Sequence, residues 1–275
     1  RQTEVGAEIL RIEEMTLPRI GGGFAVDHVS LSLHKGEVVG LYGLMGAGRS
    51  ELFECLAGVH PDARGRVYLE GKELPASNVA GRIGAGIVLV PEDRQREGLV
   101  QTLSVAHNML LASLRNYFNG LFLRQRKEQV AVTEKIKDLS IKVADPGQII
   151  TSLSGGNQQK VVVAKGLLTA PKVLLLDEPS RGIDVAAKSE IFSIMESLAE
   201  QGFGVLFISS ELKEVMAMSD RILVMSKGRV TGEYLRAEAT EEALVAASAI
   251  GHETGAEKVI NHQSELRVST SKEAG

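Results

Sequence analysis

Three stretches of the chain hold residues whose types and spacing could do phosphate chemistry. The first, GLMGAGRSE, runs from Gly43 to Glu51, with glycines at Gly43, Gly46 and Gly48 and a hydroxyl at Ser50. Glycines let successive backbone N–H groups turn toward one anion, and a helix opening near Arg49 adds the positive end of its dipole. The hydroxyl of Ser50 is then placed to ligate a magnesium ion. Arg49 stands where the strict phosphate-loop pattern G-x-x-x-x-G-K-[ST] has a lysine. On this stretch alone, an ordinary glycine-rich strand-to-helix turn remains the alternative.

The second stretch, KVLLLDEPSRGID, is an apolar strand ending in Asp177 and Glu178, at the carboxyl edge where an α/β sheet holds its ligands. Asp177 can hold magnesium, usually through water, and Glu178 can polarise an attacking water. Two solvated acids at a strand end are the plainer reading. The third, LSGGNQQKVVVAKGLL from Leu153, places Ser154, Gly155 and Gly156 at the start of a helix whose apolar face runs through Val161, Ala164 and Leu168. A hydroxyl, backbone amides and a helix dipole converge there on any anion. A capped helix accounts for Ser154 but not for paired glycines, each of which weakens a first turn by roughly 1 kcal/mol.

The elements that must position these groups read as α/β. Apolar runs mark strands at 9–15, 26–33, 38–42, 67–69, 87–90, 173–176, 205–208, 222–225 and 230–234. Several are Val/Ile/Leu throughout, as in strands covered on both faces of a parallel sheet, and helical patterns at 51–57, 186–200 and 212–218 supply crossovers. Between Leu103 and Ser152 the strand signals stop. SVAHNMLLASL and RQRKEQVAVTEKIKDLSI read as helices of an inserted lobe, with RQRKEQ as a solvated face. Past about Gly251 the sequence is polar and aperiodic, which predicts a disordered tail over 250–275.

With 275 residues, 44% hydrophobic content and a net charge of −4, the chain can bury a full core and has no broad basic face, so nucleic acid is not expected as a partner. The one cysteine, Cys55, sits in an apolar helical pattern and reads as a buried thiol. The six histidines show no metal-ligand spacing. The apolar runs end in charge far short of the roughly 20 residues of a membrane-spanning helix, so membrane association is expected only through a partner. The start RQTEVGAEI has neither Met nor an apolar signal segment and reads as an excised piece or as the continuation of a longer chain.

Taken in order, GLMGAGR, LSGGNQQ and LLLDEP, with a helical lobe before the signature, resemble the ATP-binding cassette (ABC) family over about Ile9 to Ser248. The wording of LSGGNQQ, PEDRQREGL and SRGIDVAAK is similar to the carboxy-terminal cassette of tandem-cassette ATPases that power bacterial ribose, galactose and xylose importers. The resemblance implies a P-loop NTPase fold: a mostly parallel core sheet, an antiparallel β subdomain and an inserted helical lobe. One nucleotide-binding domain would occupy 1–249, its core at 1–100 and 153–249 and its lobe at about 101–152.

It also implies ATP and Mg2+ as ligands. Nucleotide would be held by Gly43, Leu44, Met45, Gly46, Ala47, Gly48, Arg49, Ser50 and Glu51, and by Ser154, Gly155, Gly156 and Asn157. Glu178, Ser210 and Glu92 would be the catalytic positions, and Ser50, Asp177 and Glu92 the metal positions. Four departures fall in one site: Arg49 for lysine, Glu92 for the family's glutamine, Ser210 for its switch histidine, and Ile20 for its adenine-stacking aromatic, with Phe24 close enough to substitute. They imply a weakly hydrolysing phosphate site whose signature completes the site of an amino-terminal cassette in the same longer chain. Further implied partners are transmembrane permease subunits, contacted through much of PEDRQREGLVQTLSVAHNMLL unless its apolar residues form the interior of the lobe, and indirectly a periplasmic sugar-binding protein, at the cytoplasmic face of the inner membrane. An ATP-holding regulatory module and a non-transport ABC ATPase are the alternatives. Arg94 and Arg96 beside Glu92 are read as residues of a solvent loop, with contact to nucleotide or a membrane subunit as the alternative.

Overall fold

Strands whose every residue is apolar need cover on two sides, and the computed structural model supplies it. The structure describes residues 6–119, 122–123 and 125–251. In chain order the elements are β1 (Glu8–Pro18), β2 (Phe24–His34), β3 (Val38–Tyr42), α1 (Arg49–Ala57), β4 (Arg64–Leu69), β5 (Lys72–Leu74), α2 (Val79–Ala85) and β6 (Ile87–Val90). There follow α3 (Val105–Leu110), a short pair β7 (Phe118–Asn119) and β8 (Phe122–Leu123), α4 (Gln125–Asp138), α5 (Gly155–Leu167) and β9 (Val173–Asp177). The last are α6 (Val185–Glu200), β10 (Gly204–Ile208), α7 (Leu212–Met218), β11 (Arg221–Ser226), β12 (Arg229–Leu235) and α8 (Glu241–Ala249).

The central sheet has six strands in the order β12-β11-β3-β10-β9-β6, all parallel except the edge pair β11–β12. A second, antiparallel sheet runs β2-β1-β4-β5. Along β9, Val173 and Leu175 face the core under the antiparallel sheet and α1, whereas Leu174 and Leu176 face the core under α5 and α6. Leu206 and Ile208 of β10 alternate with Val205 and Phe207 in the same way. The period-two pattern is present but hidden, because both faces are buried.

Each expected strand and crossover helix is found, and β5, α2 and α8 are additions. The segment between Leu103 and Ser152 is mainly helical, but it also holds the β7–β8 pair and a bridge between Ser104 and Ile149. Within the charge run, Gln125, Arg126 and Lys127 are exposed, while Glu128 turns inward and is buried. No described helix is long and apolar enough to cross a membrane. The tail expected at 250–275 lies, beyond Gly251, outside the described residues.

The parallel topology aims the carboxyl ends of β3, β9 and β10 at one edge. Register fixes the alignment: Ile208 pairs with both Asp177 and Leu41, so the loops that follow all three strands open side by side.

Candidate functional site

Between β3 and α1 the chain turns through Gly43–Gly48, and two of its glycines are sterically required. Gly43 has backbone so close that a Cβ would lie 2.3 Å from the Met225 carbonyl oxygen. Gly48 combines φ +94° with a Cβ position 2.2 Å from the Ala25 carbonyl oxygen. Gly48 is also the N-cap of α1, and no side chain caps the helix. The first amides of α1 therefore stay open toward the cleft, which is what an anion needs.

The cleft measures about 610 Å³ and is lined by the loop from Gly43 to Glu51 with Glu92, Glu178, Arg181 and Ser210 among its other walls. Leu44, Met45, Ala47 and Glu51 all lie on it, with Met45 almost wholly exposed. The first two stretches thus meet at one cavity. Neither Ile20, at a fully exposed turn, nor Phe24, set edge-on against His28 with ring centroids 5.9 Å apart, is among the lining residues.

Asp177 ends β9 beneath α1. Its carboxyl lies within the influence of the Ser50 hydroxyl, and its Oδ1 is buried with no partner. Burial pushes its pKa up to about 6, with Glu178 adding to the rise and the Ser50 hydroxyl and Arg49 opposing it. A buried, half-satisfied carboxylate beside a hydroxyl is a donor set that fits a divalent cation. Glu92, the third residue expected at a metal, also lines the cleft, where its carboxylate is ion-paired with Arg181.

The raised pKa has a measurable cost. The folded chain holds this proton more tightly than the unfolded one, so Asp177 subtracts stability as pH climbs from about 4 to about 6, and the full cost persists above that. A shift of this size corresponds to about 2–3 kcal/mol. In chelator at pH 7.5, Asp177→Asn is expected to raise the melting temperature by roughly 5 °C; a lowered one would contradict the assignment.

Glu178 is held with φ 45°, a left-handed conformation that non-glycine residues adopt only when their surroundings impose it. Its N–H donates to the Ile208 carbonyl at 3.1 Å, and its Oε2 accepts from the Ser210 hydroxyl at 3.2 Å. Arg49 stands 3.9 Å from Glu178 Oε1 and donates from Nη1 to the Ser209 carbonyl at 3.1 Å. The guanidinium is therefore drawn toward the turn after β10 and the acid.

At the third stretch, Ser154 has N-cap backbone angles, but its hydroxyl does not cap α5. It accepts instead from Asn157 Nδ2 at 2.9 Å, while Asn157 Oδ1 accepts the Lys142 N–H at 2.8 Å. Asn157 thereby ties the exposed turn to the segment that follows α4. The paired glycines have steric causes: a Cβ at Gly156 would lie 2.4 Å from the Ala187 Cβ, and one at Gly155 would lie 2.8 Å from Arg94 Nη2. None of these four residues lines the cleft of the phosphate loop.

The family described as ABC transporter matches residues 26–181. The chain belongs to the ABC transporter family. Among relatives, it is 46% identical over 243 residues to the ribose import ATP-binding protein RbsA of Rhodopirellula baltica, covering 87% of this chain and 48% of that protein. It is 43% identical over 247 residues to the xylose import ATP-binding protein XylG of Escherichia coli K12, covering 88% and 48%. The chain spans about half the length of the curated relatives it matches. A solved ATP-binding cassette of an ABC transporter, in its ADP conformation, superimposes with TM-score 0.72 at 25% identity, covering 90% of this chain and 96% of that one.

Two features of this ABC cassette have no obvious mark in the sequence. Glu214, in the first turn of α7, is buried and accepts from both the Ser180 and the Ser209 hydroxyls at 2.7 Å, and it is ion-paired with Lys188. It clamps the loop after Glu178 to the turn that carries Ser210. Arg94 corrects the expectation of a solvent residue: half-buried in a π-helical turn, it donates from Nη1 to the Arg181 carbonyl at 2.9 Å and from Nη2 to the Gly182 carbonyl at 3.1 Å. Arg96 is exposed, as a solvent loop requires.

The remaining expectations fall into place simply. Cys55 is buried and its thiol is pushed up to about 12, chiefly by burial, so it is an inert core group. His28, His34 and His60 each pair with a neighbouring carboxylate, and His107 bonds the Ser104 hydroxyl.

Proposed function

We propose that the chain is the second of two ABC cassettes energising uptake of a sugar, that its own phosphate site binds ATP but hydrolyses it poorly, and that its signature turn completes the first cassette's site. The observation that carries this reading is the setting of Arg49. Its guanidinium is already bonded to a backbone carbonyl and faces the acid that should polarise water, so the charge is kept while the approach to the β and γ phosphates is altered. Ribose and xylose import, in the names of the relatives, support a monosaccharide as cargo.

In this reading the open amides of α1 and the loop from Gly43 to Gly48 hold the phosphates, and Ser50 with Asp177 would hold magnesium. Magnesium, when bound, would supply neutralisation of the charge that develops on the phosphates. The Ser210 hydroxyl donates to Glu178 and orients its carboxylate toward a water, a one-bond arrangement that cannot also hold the γ-phosphate as an imidazole could. Glu92, paired with Arg181, anchors the loop that leads to the permease-facing segment. Partners are the amino-terminal cassette of the same longer chain, transmembrane permease subunits and, through them, a periplasmic sugar-binding protein. The place of work is the cytoplasmic face of the inner membrane.

Geometry favours this over a free-standing regulatory module. The signature turn is exposed and lies away from the chain's own cleft, so Ser154 has a role only if a second cassette is brought to it. The test is the fate of the nucleotide in the assembled pair: ATP retained intact at this chain's loop while the other site turns over.

A further inference from the structure

A series of hydrogen bonds, joined by one short stretch of backbone and ending in close steric approach, leads from the phosphate loop to the signature turn of the same chain. Arg49 Nη1 holds the Ser209 carbonyl at 3.1 Å. The Ser209 and Ser180 hydroxyls both donate to Glu214 Oε2 at 2.7 Å, which fastens the turn after β10 to the loop after Glu178. One and two residues after Ser180, the carbonyls of Arg181 and Gly182 accept from the two terminal nitrogens of Arg94. The same Nη2 and the carbonyl it holds lie against Gly155, where an added Cβ would be 2.8 Å from Nη2 and 3.3 Å from the Gly182 oxygen.

Neighbouring bonds reinforce the same junction. Gln95 Nε2 donates to Gln158 Oε1 at 2.5 Å, so the π-helical turn grips α5 directly. Arg181, whose carbonyl Arg94 holds, also reaches back to Glu92 with its side chain. Arg94 Nε is buried without a partner, so the two terminal nitrogens alone make its bonds. A π-turn at this place fits the tendency of such turns to occur at functional sites.

We infer that Arg94 is a positioning residue that transmits nucleotide occupancy at this chain's own phosphate loop to its signature turn. The inference rests on the proposed two-site reading, since only there does a site that hydrolyses poorly still have work to do. Filling the loop would move Arg49 and the turn it holds, Glu214 would carry the displacement to residues 180–182, and Arg94 would pass it to Gly155. The slow site would then act as a switch that sets the signature geometry offered to the partner. Spatial continuity alone does not establish coupling; a demonstrated dependence of one site on the other does.

The experiment measures amide hydrogen exchange at residues 155–158 in the chain, with and without a non-hydrolysable ATP analogue and magnesium. In the unaltered chain the analogue is expected to slow exchange there by about 5-fold or more, the lower range of ordinary coupling between sites. In Arg94→Gln the analogue still binds, but this protection is lost. A purely structural Arg94 would instead raise exchange equally with and without nucleotide and leave the protection ratio intact, which would overturn the inference. Arg94→Lys, which keeps charge and one donor group, is expected to restore part of the ratio and guards against a folding defect in the glutamine variant. Absence of protection in the unaltered chain, with analogue bound, would also overturn it. The two-site reading is judged separately by turnover of Ser154→Arg in the assembled pair, so its failure cannot be confused with this one.

Discussion

In an assembled pair of cassettes, Ser154→Arg lowers ATP turnover by about 100-fold or more while this chain still folds and still binds nucleotide at its own loop. The size follows from what the turn provides. Removing a single donor aimed at developing charge costs on the order of 10²–10³ in rate, and an arginine side chain would also fill the space the γ-phosphate needs. The fold should tolerate it, because Ser154 is exposed and makes no cap bond. Its only side-chain partner among the described residues is Asn157 Nδ2, and loss of that bond costs about 1 kcal/mol. The measurement is steady-state phosphate release by the pair, with analogue binding and melting temperature as controls. Turnover within a few-fold of the unaltered pair would show that the signature serves no partner.

The second large effect is a gain. With the partner's site silenced by Ser154→Arg, adding Arg49→Lys and Ser210→His should raise the residual turnover by about 100-fold, the scale on which misplacement of reacting groups by about 1 Å is felt. Lysine gives up the planar guanidinium whose Nη1 now faces both the Ser209 carbonyl and Glu178, which returns a compact ammonium to the loop. Histidine at 210 keeps a donor near Glu178 Oε2 and adds reach toward the γ-phosphate. Phosphate release from the triple variant is the readout. No gain would mean that the slow chemistry has another origin, such as Glu92 held by Arg181.

Much of this site was legible in the residue pattern. Gly43 and Gly48 announced themselves because nothing larger fits so close to Met225 and Ala25, and an apolar run ending in two acids marks a buried strand reaching a ligand edge. The departures at Arg49, Glu92 and Ser210 stood out against a pattern. Illegible were the groups whose partners are backbone atoms or lie far along the chain. Arg94 bonds carbonyls 87 and 88 residues away, and a carbonyl has no letter in a sequence. Glu214 resembles any acid in a first helical turn until Ser180, 34 residues earlier, is folded against it. Glu128 was hidden in a charge run because helical rotation, rather than composition, decides which member faces inward.

The paired glycines of the signature show how one sequence feature can have two physical causes. Their helix-weakening cost suggested a ligand, yet the Ala187 Cβ already requires Gly156 to lack a side chain, and one at Gly155 would displace the Arg94 guanidinium. Close packing of α5 onto α6 and onto the π-turn would preserve them even without an anion. The exposed hydroxyl of Ser154, free of capping duty, is thus better support for a trans role than the glycines beside it.

The most direct measurement is of what happens to each nucleotide. The assembled pair is loaded with radiolabelled ATP and magnesium, allowed several turnovers, freed of unbound nucleotide and quenched, and the bound ATP and ADP are counted per pair. The account predicts one intact ATP retained per pair, lost when this chain's Gly46–Ser50 loop is disabled, while the other site holds ADP or is empty. Conversion of both nucleotides to ADP at the same rate would contradict it.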